Sequence, residues 1–578
     1  MSTLPQTHDV LILGGGLAGQ CLALQVLRAR PETRVAVIEK AAWPPPVAAH
    51  KVGESTVELG THYLRHVLGL AEYLDAEQLP KLGLRFFFQT QPGAPLRDRP
   101  EFGATSTLPV PSHQVDRGLL EAELARRVVD AGATFLPGTR VAGIDLDRTG
   151  HTITLKGDGP DTLRARWVVD ATGRTSLLKR QVGAWKPSPH DSNAVWFRVD
   201  ADIDIDDWEP DEAFRARVPE GLRRLSTNHL MGDGYWVWFI PLSSGSTSVG
   251  IVSDPTRHDL KKMSTIEGAM GWLRTHEPLA AASVEPHLET LQDFLVLRHY
   301  SHSAERVFHP LRWALTGDAG AFLDPFYSPG TDFIALSNSY ITDLVVRDLA
   351  GERVRSRINE YNRTYLSMWE AWLPVYRRMY ETFGVGQVAA LKVVWDYSTY
   401  WSFQVPTFVN EGFLDVALML RTRGLWERIT ELNRVLQATL LHWARHEPAP
   451  TDLRPGLVDS MGMPFLRQFQ ERMADCMDVS ELEERLHTNL AVLNRLAAEI
   501  HRLAAHRLYG FSMDAPVDPL TFSIEAVARG EAHTPEGGFS PDLAIRADLQ
   551  LAWFAAPSSS VIASLGSALR YPEARASL

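Results

Sequence analysis

Three glycines at a fixed interval carry the most specific chemical signal in the chain. Gly14, Gly16 and Gly19 follow the apolar run Asp9-Val-Leu-Ile-Leu13 and open a helical stretch that includes Leu17 and Ala18 and runs to Arg30. A turn at Pro31-Glu-Thr33 and a second strand, Arg34 to Glu39, complete a strand–helix–strand unit. In that context Gly14 permits the tight turn and Gly16 lets the backbone approach a pyrophosphate at the helix N-terminus. Gly19 allows close helix–strand packing. Glu39 lies twenty residues past the last glycine, where a carboxylate can take ribose hydroxyls, and Lys40 follows it. The chemistry is dinucleotide binding.

Two further segments favour FAD over NAD. Trp167-Val-Val-Asp170-Ala-Thr-Gly173 is a strand running into a glycine turn. Ala314-Leu-Thr-Gly317-Asp318-Ala-Gly320 is another, with Asp318 placed to accept hydrogen bonds from a ribityl chain, and Asp324-Pro325 follows. This three-part pattern resembles the flavin-binding domain of the para-hydroxybenzoate-hydroxylase-like enzymes. A helix from about Thr331 to Leu349 would then aim its positive end at the isoalloxazine. Arg117, in the helix opening at Gln114-Val-Asp-Arg117, is a candidate phosphate contact or a solvated helix charge.

Two other groups could do chemistry beside a flavin. In Gly234-Tyr-Trp-Val-Trp-Phe-Ile-Pro241, Trp236, Trp238 and Ile240 alternate, so on a strand they form one bulky wall while Val237 and Phe239 face the other side. Pro241 ends the strand because it has no N–H for a ladder. The ordinary alternative is a buried core strand. Lys81 is a lone lysine in the apolar stretch Pro80-Lys81-Leu-Gly-Leu-Arg-Phe86.

The whole chain sets limits on these groups. At 578 residues it is long enough for two or three domains. It is 45% hydrophobic and 22% charged, with a mean hydropathy of −0.14. A net charge of −12 argues against a nucleic-acid partner, which needs a basic stripe. Two cysteines, Cys21 and Cys476, support neither a disulfide framework nor a thiolate metal site. The 20 histidines show no metal-ligand spacing, so no metal is expected. Glycines and glutamines interrupt the apolar run from Val10 to Leu27, and no basic region precedes it, so no signal peptide or transmembrane helix is expected. The expected compartment is the cytoplasm.

The fold class is α/β (α+β): a Rossmann-like FAD-binding domain, an inserted β-sheet on the substrate side and a mostly helical C-terminal region. We place the discontinuous FAD-binding domain at 1–345, with the sheet inserted at about 80–110 and 190–300. Residues 346–555 form a helical substrate cover, and 556–578 a loosely ordered tail. The cover carries many aromatics, among them Tyr361, Tyr365, Trp369, Trp372, Tyr376, Trp395, Tyr397 and Trp401, at helical spacing. They serve either as packing or as a roof over an aromatic substrate.

Together these segments resemble the flavin-dependent halogenases. The stretch Trp236-Val-Trp238-Phe-Ile240-Pro241 matches their Trp-x-Trp-x-Ile-Pro signature, and Val52-Gly53-Glu54-Ser55-Thr56 their Val-Gly-Glu-Ser/Ala-Thr stretch. Lys81-Leu-Gly-Leu-Arg-Phe86 matches the segment bearing the essential lysine, with Lys51 a nearby competitor. Asp324-Pro-Phe-Tyr-Ser328-Pro-Gly330 corresponds to the flavin-and-halide loop. The resemblance covers residues 5 to 350.

It implies that Val52, Gly53, Glu54, Ser55, Pro325 and Gly330 contact FAD, that Gly330 and Thr331 hold halide, and that Ser328, Trp236, Trp238 and Lys81 serve the reaction. FAD reduced by a separate reductase would meet O2 and oxidise chloride or bromide to hypohalous acid. That oxidant would pass along the tryptophan wall to Lys81 and an electron-rich phenol, pyrrole or indole, free or carrier-bound. A desolvated amine with a depressed pKa suits such a role, and Leu79, Leu82, Leu84 and Phe86 could desolvate it. Two positions depart from the pattern. Tyr327 stands where tryptophan halogenases have Glu, and a neutral phenol is no carboxylate base. Pro329 offers no N–H to a halide. These departures keep open a flavin monooxygenase, epoxidase or reductase of the same fold that does not use halide.

Overall fold

The computed structural model describes residues 6–46, 53–157, 159–447, 455–531 and 538–553. Lys51, Val52 and the tail expected at 556–578 lie outside the described residues. Two eight-stranded sheets organise what is described. The first runs in the order Phe308–His309, Trp313–Leu315, Thr162–Asp170, Gln6–Leu13, Val35–Ile38, Thr134–Leu136, with Thr139–Asp145 and His151–Gly157 attached beside Thr162–Asp170. Its central pairs are parallel, with Val10 opposite both Trp167 and Val35. A parallel sheet is covered on both faces, so its strands are unbroken apolar runs. Val10 to Leu13, Val35 to Ile38 and Trp167 to Val169 are accordingly buried. Helices Leu17–Ala29, Arg117–Asp130 and Gly330–Leu349 pack together on this sheet.

At the carboxyl ends of these strands the chain turns out of the sheet and knits adjacent strands together. Gly14 N donates to Ile38 O at 2.8 Å, Ala171 N to Leu13 O at 2.8 Å, and Thr316 N to Asp170 O at 3.0 Å. The crevice outside such strand ends is where doubly wound sheets bind ligands.

The second sheet has the order Leu291–Leu297, Asn193–Val199, Thr247–Ser253, Tyr235–Pro241, Thr227–Gly232, Leu84–Phe88, Pro100–Gly103, Gly456–Asp459. Strand alternation divides its side chains between two cores. Trp236, Trp238, Ile240, Phe86 and Val252 join the core shared with the first sheet. Val237, Phe239, Phe87 and Ile251 join a second core capped by Met270, Leu273 and Val284 from helices Ile266–His276 and Pro278–Val284.

Among the described residues the C-terminal region is helical, with one strand that the sequence did not suggest. Gly456–Asp459 pairs in parallel with Pro100–Gly103 at the sheet edge. Four half-buried residues between stretches of helix leave too short a pattern to read. The helix Gly386–Thr399 widens into a π turn, Tyr400–Gln404, which carries Tyr400 and Trp401.

Candidate active site

A cavity of about 910 Å3 lies at the strand ends of the first sheet. Its walls include Gly14, Gly16, Leu17, Ala18, Glu39 and Lys40 from the first strand–helix–strand unit. Gly53, Glu54, Ser55, Arg117, Gly173 and Asp318 add the middle of the cavity. Pro325, Ser328, Gly330 and Thr331 close its far end. Gly14 has φ +109°, and a Cβ there would stand 2.4 Å from Ala171 O. Gly19 sits behind the cavity, where a Cβ would meet Gly14 O at 2.0 Å, so only glycine lets this helix seat on its strand.

Glu39 is fixed at the rim, Oε2 accepting from Gly15 N at 2.7 Å and Oε1 from Ala41 N at 2.8 Å. Arg117 is not a solvated helix charge. Its side chain is 11% exposed, and Nη2 donates to Glu121 Oε1 at 2.6 Å, the oxygen that also accepts from Leu17 N. Burial pushes the Asp318 carboxyl up, against the pull of Arg117, Arg174 and Lys179. A glycine cradle, a rim carboxylate, an inward arginine and a cavity of this size fit an adenine dinucleotide.

Trp236, Trp238 and Ile240 form one wall of this same cavity. The two indoles lie 5.5 Å apart between ring centroids. Trp238 lies across Gly250, its cross-strand neighbour, where a Cβ would be 2.2 Å from the ring. Trp236 Nε1 donates to Tyr380 Oη at 3.1 Å. His229 stands beside Trp236 at 5.2 Å, and burial pushes its pKa down to about 3, so it is neutral.

A second cavity, of about 440 Å3, lies between Leu84, Ala104 and Leu108 on one side and Met368, Trp372, Tyr376, Tyr397 and Trp401 of the helical cover on the other. The aromatic run divides between the cavity wall and the core. Tyr376, Tyr397 and Trp401 face this cavity, while Tyr361, Tyr365 and Trp395 are core.

The two cavities share a thin partition. Gly53, Glu54 and Ser55 face the larger one, whereas Val57 and Glu58 face the smaller. In the following loop Ser328, Gly330 and Thr331 face the larger, and Tyr327, Pro329 and Asp332 the smaller. Lys81 lines the smaller cavity, and its ammonium reaches into the partition. Nζ donates to Ser55 Oγ and to Thr56 O, each at 2.8 Å. Lys81 is 4% exposed, and burial beside Leu82, Leu84 and Phe86 pulls its pKa down to about 7, with Glu58 and Asp332 resisting.

Both of those carboxyls are pushed up by the same burial, Asp332 to about 8. Asp332 Oδ1 accepts from Gly60 N and Oδ2 from Tyr400 Oη, both at 2.8 Å. The Trp401 indole donates to Glu58.

The two departures have clear surroundings. Tyr327 Oη donates to Asp396 Oδ2 at 2.7 Å, and burial with that carboxylate pushes the phenol well above its usual range. Pro329 is the N-cap of helix Gly330–Leu349, and Ser328 before it is left-handed at φ +57°. Asp324 secures the loop. Its Oδ2 accepts from His190 Nε2 at 2.7 Å, Tyr300 Oη at 3.0 Å and Tyr380 Oη at 2.6 Å, and its Oδ1 from Phe326 N at 3.0 Å.

One placement differs from the path expected for the oxidant. The tryptophans flank the larger cavity and do not line the Lys81 cavity, because their strand lies two positions in from Leu84–Phe88 in the sheet. Glu58, Asp332 and His229 did not stand out in the sequence. The only signal for the first two was nearness to quoted motifs, since Glu58 follows Thr56 by two residues and Asp332 follows Gly330 by two.

Comparisons with known proteins agree with a flavin-binding fold. The FAD binding domain family matches residues 7–269. The flavin-dependent halogenase chlA of Dictyostelium discoideum is 25% identical over 440 residues, covering 70% of this chain and 72% of its own. The 1H-pyrrole-2-carbonyl peptidyl-carrier-protein chlorinase of Pseudomonas fluorescens is 25% identical over 399 residues, 64% of this chain and 84% of its own. Among solved structures, halogenase PltM in complex with phloroglucinol and FAD shares the fold, with a TM-score of 0.58 at 17% identity over 85% of this chain and 96% of that one.

Proposed function

We propose that the chain is a flavin-dependent halogenase, a reading supported by its similarity to chlA and to the pyrrole-2-carbonyl chlorinase, and that it halogenates an electron-rich aromatic of phenol, pyrrole or indole type through Lys81. FAD, held in the larger cavity and reduced by a separate flavin reductase, would take O2 to the peroxide level by a two-electron transfer, and that oxidant would accept two further electrons from chloride or bromide to give hypohalous acid. Gly14, Gly16 and the Leu17 end of the helix hold the pyrophosphate, Glu39 the ribose and Asp318 the ribityl chain. Gly53, Glu54, Ser55, Gly173, Pro325 and Gly330 shape the space for the ring. The Gly330 and Thr331 N–H groups, at the positive end of a 20-residue helix, hold the halide. Trp236 and Trp238 exclude water from the flavin side.

The observation that carries this reading is Lys81 in the partition, hydrogen-bonded to a residue of the larger cavity while lining the smaller. There Lys81 holds hypohalous acid by a hydrogen bond or carries the halogen on its amine, and so presents the electrophilic halogen to the ring. An amine freed of its proton by burial binds the electrophile through its lone pair, and in its charged form it donates to the oxidant's oxygen. The smaller cavity, aromatic on its cover side, suits a flat ring, free or tethered to a carrier protein.

We assign the enzyme to the cytoplasm, a reducing compartment that suits a chain with two cysteines; separately, no described helix is long and apolar enough to cross a membrane. Pro329, which lacks an N–H at the helix start, favours a second reading. In it the same site oxygenates or reduces its substrate without halide. Incubation with FAD, a flavin reductase, NADH, O2 and a panel of phenols, pyrroles and indoles tests the two, with chloride, bromide or no halide. Products carrying the halogen isotope pattern support halogenation. Oxygenated products unchanged by halide would assign the site to the second reading.

A further inference from the structure

A halogenated ring must lose a proton, and the loop position that carries a carboxylate in the resembling tryptophan enzymes is Tyr327. Three carboxyls line the smaller cavity near it or near Lys81. Asp396 is already held by Tyr327, by Gln437 Nε2 at 2.7 Å and by an ion pair with Lys392. Asp332 has one donor on each oxygen, Gly60 N and Tyr400 Oη. Glu58 also has two donors, the Trp401 indole and its own backbone N–H, but of the carboxyls beside Lys81 it is the one that acts on the Lys81 charge most strongly, ahead of Asp332. It is the first residue of helix Glu58–His62, 4% exposed, and lines the cavity beside Lys81. The backbone fixes that proximity, since the carbonyl of Thr56, two residues earlier, accepts the Lys81 ammonium.

We propose that Glu58 is the base that removes the ring proton, acting as a pair with Lys81 on one wall of the smaller cavity. This rests on the reading of Lys81 as the residue that presents the electrophilic halogen. The ring π electrons form the carbon–halogen bond as the halogen–oxygen bond of hypohalous acid breaks. The Lys81 ammonium gives a proton to the departing hydroxide, which leaves as water. The C–H bond then breaks, its electron pair restores the aromatic ring, and the proton goes to the Glu58 carboxylate. Glu58 as acid and Lys81 as amine are reset by one proton passing between them. The sum is ring C–H plus hypohalous acid giving ring C–halogen plus water.

Burial disfavours charge on both groups, pushing Glu58 up and Lys81 down. The charged and neutral forms of the pair are thereby brought closer in energy, which is what the reset requires. The other titratable groups facing Glu58 are Asp332 on helix Gly330–Leu349, Tyr397 on Gly386–Thr399 and Tyr400 on the π turn.

The test uses the full chain with FAD, a flavin reductase, NADH, O2 and bromide, acting on a phenol and on its ring-deuterated form. Glu58→Gln is expected to slow bromination about 100-fold. It should also reveal a primary deuterium isotope effect larger than in the unmodified protein, and lose the acid limb of the kcat/KM profile. Glu58→Asp, which keeps the carboxylate, is expected to restore the acid limb and much of the rate. It also settles the case if the glutamine variant folds poorly. Bromination by Glu58→Gln at the original rate would overturn the proposal. So would slowing with no isotope effect and an intact acid limb, the signature of a merely structural residue. If the unmodified protein itself made no halogenated product, the reading of Lys81 would fall first, and this inference with it.

Discussion

The larger cavity is opened by glycine turns at strand ends, the smaller is lined by side chains gathered from distant parts of the chain. Around the first, glycine turns at Gly14, Gly53, Gly173 and Gly317 have positive φ and leave room that a side chain would fill. Around the second, Lys81 comes from a short strand, Glu58 and Asp332 from two helices, and Tyr397, Tyr400 and Trp401 from the cover. A site made by backbone tolerates many sequences that keep the turn residues. A site made by side chains can change its ligand with few substitutions. On the proposed reading, the difference separates a fixed cofactor site from an adjustable substrate site, with the partition of Ser55–Glu58 and Tyr327–Asp332 between them.

Substitutions on the two sides should therefore fail differently. The largest effect is expected at Gly19. Gly19→Val drives a side chain into Gly14 O, so the purified protein should carry no flavin by absorbance and should melt early by circular dichroism. Next is Trp238→Ala, which removes an indole buried to 3% and should cost about 3–5 kcal/mol in chemical denaturation. Retained stability there would mean that the tryptophan wall is not part of the core.

Lys81→Met tests the electrostatics of the smaller cavity. The folded pKa of Lys81, about 7, lies below the ordinary value of 10.5. Between those values the unfolded chain binds the extra proton, so Lys81 costs stability that is regained as pH rises. Lys81→Met should stabilise the fold at pH 7 and below, with the gain shrinking toward pH 10. A gain independent of pH would show that Lys81 titrates normally. The smallest effect is expected for Tyr327→Phe, which removes one donor from the Asp396 carboxylate and should cost about 1.5–3 kcal/mol.

The same contrast explains what could be read from the sequence. Gly14, Gly16, Gly19 and Glu39 announce themselves because a fixed backbone geometry demands fixed spacing. The alternation of Trp236, Trp238 and Ile240 gave the correct face for the same reason. Glu58 and Asp332 follow no spacing rule, since their nearness to Lys81 arises only when helices Glu58–His62 and Gly330–Leu349 pack against each other. Which cavity the tryptophans line depends on strand order in the second sheet, and local pattern does not encode that order. The edge strand Gly456–Asp459, more than 350 residues from its partner Pro100–Gly103, was invisible for the same reason.

The most direct test of the central claim, that Lys81 links two separate cavities, follows the oxidant in Lys81→Ala. The variant and the unmodified protein would be given FAD, a flavin reductase, NADH, O2 and bromide, with either a phenol substrate or a small freely diffusing halogen acceptor. The expected result is that Lys81→Ala binds FAD normally and still brominates the free acceptor, while bromination of the phenol falls at least about 100-fold. Phenol bromination at an undiminished rate would contradict the account and remove Lys81 from the reaction.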